Sequence, residues 1–197
     1  MNSETKPPRI DDPDGRRRFV PHGVPGLVSV EISDTQSHLA IDPEELARLV
    51  RATLASEGVA RASISLAVVD DATIRAINLR HLDHDWPTVV ISFVLSDADD
   101  PELSGELVVS AETAATTARQ AGVPPRDELA LYMVHGLLHL CGYDDEADEA
   151  RGLMRRREGE ILAELGLTNT FTAAGLPEDA DADGVGRGER EAARWPV

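Results

Sequence analysis

Apolar and polar positions alternate with period two at Val28, Val30 and Ile32, and again at Ile64, Leu66 and Val68, which predicts two half-buried strands. Between them the period lengthens. Asp42-Pro43-Glu44-Glu45 reads as a helix start, with an Asp cap, Pro at the first helical position and Glu at the third. Leu46, Leu49, Val50 and Leu54 then share one face, and Gly58 stands where the helix ends. A short helix is predicted from Ala72 to Leu82 with Ile74 and Ile77 inward. Val89 to Leu95 is a continuous apolar run, the pattern of a strand buried on both faces. Leu107-Val108-Val109 predicts a fourth strand, paired with the third as a hairpin. Helices follow at Ala111–Ala121 (ending at Gly122), Pro125–Cys141 and Asp145–Leu165 (ending at Gly166). Strands and helices alternate irregularly. The prediction is an α+β fold, a mixed four-stranded sheet packed with helices.

Residues 27–170 are expected to form a single domain. Residues 1–26, rich in proline and glycine and carrying Arg16-Arg17-Arg18, read as a mobile leader; the arginines suit either a solvated tail or an RNA-touching arm. Residues 171–197, rich in Ala, Asp, Gly and Glu, read as a disordered acidic tail with too few apolar groups to offset ordering entropy.

Charge narrows the range of partners. The formal net charge is −17. The leader carries five Lys/Arg against four Asp/Glu, and residues 171–197 carry three against six, so about −15 belongs to the predicted domain. Such a field repels polyanions at long range and opposes unaided, tight nucleic-acid binding. No apolar run reaches the roughly 18–20 residues that span a bilayer, so no membrane partner is expected. The single cysteine, Cys141, excludes an internal disulfide framework and suits a reducing cytoplasm.

The predicted helix 125–141 carries the candidate chemistry. His135 and His139 are four apart, so their imidazoles leave one helix face and can share a metal ion. The helix is otherwise strongly apolar, and an unpartnered imidazole is costly to bury there. Gly142 can end the helix in the left-handed conformation, letting the following turn bring Asp144 or Asp145 back toward the pair. Three ligands with an open fourth position make the catalytic kind of zinc site. Zinc peptidases place a general-base glutamate directly after the first histidine; here that position is Gly136, which argues against peptidase chemistry.

His135-Gly136-Leu137-Leu138-His139-Leu140-Cys141-Gly142-Tyr143-Asp144-Asp145 resembles the H-G-x-L-H-L-x-G-Y-D-H signature of the YbeY family, single-strand-specific metallo-endoribonucleases of rRNA maturation. Asn78 through Phe93, with Asp85-Trp86-Pro87-Thr88, is similar to that family's N-x3-R-x2-D-x-P-T-D/N-V-L-S-F. Gly105-Glu106-Leu107-Val108-Val109-Ser110 is similar to its G-D-I-V-I-S strand. The resemblance spans residues 28–168. It implies one zinc ion held by His135, His139 and Asp145, with Asp145 standing where the family usually has histidine. It further implies hydrolysis by a metal-bound water, action on single-stranded rRNA at the 3′ end of the small-subunit rRNA, and a part in ribosome quality control.

The family's functional arginine aligns with Leu82, leaving Arg80 as a candidate phosphate contact. His84 or His81 is a candidate proton donor, or else a surface imidazole without a role. Ser92 is expected to point toward the site, and Asp144 to be either a hydrogen-bond partner of a ligand imidazole or an ordinary turn residue. Two other readings stay open: a non-catalytic assembly factor docking on the ribosomal subunit or on basic ribosomal proteins, and a metal-dependent hydrolase of another phosphoester or a peptide.

Overall fold

Nine elements follow one another in the computed structural model, which describes residues 27–82, 85, 86, 88–97 and 99–169. They are β1 (Leu27–Asp34), α1 (Pro43–Ser56), β2 (Arg61–Val69), α2 (Asp71–Leu82), β3 (Val90–Val94), β4 (Leu103–Ser110), α3 (Ala111–Ala121), α4 (Pro125–Leu140) and α5 (Asp148–Glu164). The expectations of a mobile leader over 1–26 and an acidic tail over 171–197, and the candidate His84, lie outside the described residues.

The four strands form one mixed sheet in the order β1-β2-β4-β3. The pairs β1–β2 and β2–β4 are parallel, and β3–β4 is antiparallel. This is the α+β arrangement expected from the alternation of elements. The starts of α1 and α3 are capped by side chains: the Asp42 carboxylate accepts from the Glu44 amide, and the Ser110 hydroxyl accepts from the Thr113 amide.

Two expectations are corrected. The apolar run at 89–95 is not buried throughout. β3 is an edge strand, and although Val90 and Ile91 are buried, Val94 and Leu95 beyond them are 56% and 63% exposed. The last helix starts at Asp148 rather than Asp145, because residues 143–147 run without helical structure and its first main-chain bond is Arg151 N to the Ala147 carbonyl at 2.8 Å.

The sheet separates two apolar clusters. Ile64, Leu66, Leu107 and Val109 face the larger one with α1, α3, α4 and α5, while Ile74 of α2 packs with Val69, Ile91 and Val108 on the other face. α4 lies at the centre of the larger cluster, apolar on nearly every side as a helix enclosed by other elements must be. It comes close to the sheet at Gly136. A Cβ there would stand 2.8 Å from both Leu107 Cδ1 and Val90 Cγ2 and 2.9 Å from Ser92 Oγ. The glycine, costly in a helix by about 1 kcal/mol, is what lets α4 lie this near β3 and β4.

Candidate metal centre

Within α4 the spacing of four brings the two imidazoles face to edge, with ring centroids 4.6 Å apart. The helix stops directly after them. Gly142, at φ 93°, turns the chain into the left-handed region, and the Tyr143 amide bonds back to the Leu138 carbonyl at 3.0 Å. The segment that follows returns Asp145 to the histidines. Its carboxylate is 4.0 Å from His135 Nε2 through Oδ2 and 3.8 Å from His139 Nε2 through Oδ1. Arg151 fixes this return by donating to the main-chain carbonyls of Asp145 at 3.1 Å and Glu146 at 2.9 Å.

Each ring has its outer nitrogen engaged. His135 Nδ1 donates to Glu158 Oε1 at 2.7 Å, and His139 Nδ1 donates to the Tyr143 carbonyl at 3.1 Å. When both rings are neutral, protons on both Nδ1 atoms leave both Nε2 atoms as lone-pair acceptors. These two acceptors face each other at 3.0 Å. Beside them, Asp145 Oδ1 is buried without a hydrogen-bond partner. Two opposed lone pairs and an orphaned carboxylate oxygen are a combination that a cation between them resolves.

The fit is geometric as well. Ligand atoms about 3.3–3.4 Å apart are what a tetrahedral site with bonds of roughly 2.0–2.1 Å requires, and here the three side chains offer atoms all within 4.8 Å of one another. His135, His139 and Asp145 could therefore hold a metal ion. Burial, and next the neighbouring His135, hold the His139 pKa below the ordinary histidine value. That favours the neutral ring a ligand needs.

Residues 31–166 match the family model described as Endoribonuclease YbeY. The chain belongs to the YbeY family. Among its relatives, the Endoribonuclease YbeY of Rhodopirellula baltica is 46% identical over 144 residues, covering 70% of this chain and 73% of that protein. That of Carboxydothermus hydrogenoformans is 39% identical over 140 residues, 70% of this chain and 97% of the relative. That of Syntrophotalea carbinolica is 37% identical over 142 residues, 69% and 95% respectively.

Against the YbeY signature, the structure brings His135, His139 and Asp145 together and leaves Asp144 outside. Asp144 is exposed, and its Oδ1 accepts from the Glu146 amide as a turn aspartate does. Ser92 does reach α4, where its hydroxyl donates to the carbonyl of Gly136, the residue after His135, at 3.1 Å. Arg80 lies exposed on α2. His81 sits edge-on to Phe93, at a centroid distance of 5.6 Å, and Phe93 belongs with the apolar cluster on the α2 face.

Glu158 is the residue the sequence reading missed. It is 2% exposed, on the same face of α5 as Met154, Ile161 and Leu162. A glutamate in a helix's apolar stripe is the signal that would have found it, because a buried carboxylate must have a partner. A narrow recess at this cluster is lined by His135, Asp145, Arg151, Met154, Arg155 and Glu158.

Proposed function

We propose that the protein is a zinc-dependent endoribonuclease that cleaves single-stranded RNA in rRNA maturation, toward the 3′ end of the small-subunit rRNA. The observation that carries the metal part is the facing Nε2 pair of His135 and His139 with the orphaned Asp145 oxygen beside it. The RNA part rests on membership of a family of endoribonucleases. The acting unit is the domain of residues 27–170, and the place of action is the cytoplasm, where rRNA is made and processed. Ribosome quality control is the wider role this reading assigns. No helix among the described residues is long and apolar enough to cross a membrane.

Two imidazoles and one carboxylate, with room for a fourth ligand, are a donor set that zinc takes in catalytic sites. Zinc bound there would supply an acidified water and polarisation of a phosphoryl oxygen. The protein's own residues do the rest. Glu158 and the Tyr143 carbonyl hold each imidazole in the tautomer whose Nε2 faces inward. Arg151 keeps the Asp145 segment in place.

Arg155 stands one helical turn beyond Arg151 and lines the recess at the ligands. With leucine at position 82, this reading gives Arg155 the phosphate contact, in preference to Arg80, which lies on α2 outside that lining. His84 is its candidate proton donor to the leaving oxygen.

A second reading, a non-catalytic factor docked on basic ribosomal proteins, is favoured by the net charge of −17. One variant separates them. His139→Ala should lose cleavage of labelled single-stranded RNA while keeping its association with the small ribosomal subunit. Wild-type cleavage by His139→Ala would overturn the catalytic reading. Duplex RNA of the same sequence, left intact by the wild type, checks the single-strand preference.

A further inference from the structure

A charged cluster links the site to two helices beyond it. Arg157, next to Glu158 on α5, donates from Nε to Glu57 Oε1 at 2.6 Å and from Nη2 to the Ser56 carbonyl at 3.0 Å. Glu57 is the residue that caps the end of α1. Its second oxygen, Oε2, accepts from the Tyr143 hydroxyl at 3.1 Å. Tyr143 in turn presents the main-chain carbonyl to which His139 Nδ1 donates. The ion pair is withdrawn from water, its side chains 20% and 11% exposed, so neither charge is easily replaced by solvent. Burial lowers the guanidinium pKa, but the Glu57 and Glu160 carboxylates outweigh it and leave that pKa well above the usual arginine value.

We propose that Glu57 and Arg157 are positioning residues of the metal centre, acting through Tyr143. The Tyr143 ring packs on the core, its amide is bonded to the Leu138 carbonyl, and its hydroxyl is anchored on Glu57. Held at these three points, the residue keeps its own carbonyl aimed at His139. Arg157 fixes the turn of α5 that carries Glu158, the acceptor for His135. One ion pair thus braces the partners of both histidine ligands. The inference rests on the reading that His135, His139 and Asp145 hold a metal.

The alternative is a tie between α1 and α5 that serves stability alone. Co2+ binding to the full-length protein, followed by its visible spectrum and by competition with a chromophoric chelator, distinguishes the two. Tyr143→Phe keeps the ring and carbonyl and removes only the anchor; Glu57→Ala removes the ion pair. Each should weaken Co2+ binding by about tenfold, as changes around ligand-supporting groups do, and should shift the absorption bands. Ile74→Val, in the apolar cluster on the far face of the sheet, should lower thermal stability and leave affinity and spectrum unchanged. Should Glu57→Ala fail to fold, Tyr143→Phe alone decides. Wild-type affinity and spectrum in Tyr143→Phe would overturn the inference while leaving the metal centre standing. Absence of Co2+ binding by the wild-type protein would remove the metal reading and the inference with it.

Discussion

Glu158 Oε1 lies 2.7 Å from His135 Nδ1, joining two residues 23 positions apart on different helices. The contact fixes which imidazole nitrogen carries the proton and aims the other at Asp145 and His139. Glu158→Gln keeps the shape but removes the charge that raises ligand basicity. It is expected to weaken zinc binding by about 10- to 100-fold with little change in helical content. Chelator competition alongside circular dichroism checks this, and unchanged affinity would separate Glu158 from the site.

Gly136 offers a test of the packing. Alanine is the better helix former by about 1 kcal/mol, so an exposed position would gain from the change. Here the added methyl meets two apolar side chains at 2.8 Å and the Ser92 hydroxyl at 2.9 Å. Overpacking of this kind costs about 1–3 kcal/mol. Gly136→Ala should therefore show a net loss in urea denaturation, and a gain would mean that α4 has room to move off the sheet.

Cys141 follows the last turn of α4, and burial first, then the Glu57 charge, pushes its thiol up to about 12. An unfolded cysteine ionises near 8.5. The folded state thus favours the protonated thiol, and its contribution to stability is full below about pH 8.5 and is lost as pH rises toward 12. Cys141→Ala should remove that part of the alkaline decline. In the native protein at pH 8 the thiol should react with a disulfide reagent far more slowly than in urea; equal rates would contradict its protection.

Much of this was legible in the sequence because local rules and tertiary packing agree. The spacing of His135 and His139, the stop at Gly142 and the cap at Asp42 each depend on neighbours within a turn or two. What escaped depends on distant partners. Val94 and Leu95 look like core residues until the strand order puts β3 at the sheet edge. The start of α5 moves to Asp148 because Asp145 is drawn to the histidines instead of opening a helix. The choice between Asp144 and Asp145 turns on which way a loop carboxylate faces, which spacing does not determine. Glu158 lies too far along the chain to be paired with His135 by any local rule, although its place in an apolar stripe marks it as partnered.

Asp145 is the proposed third ligand. Asp145 is 6% exposed and has an orphaned oxygen, whereas Asp144 is exposed and satisfied by the Glu146 amide. Zinc content per protein, measured after dialysis against a weak chelator, should be one equivalent for the wild type and for Asp144→Ala. It should be lost or strongly reduced in Asp145→Ala. One tightly held equivalent in Asp145→Ala would contradict a centre built from His135, His139 and Asp145.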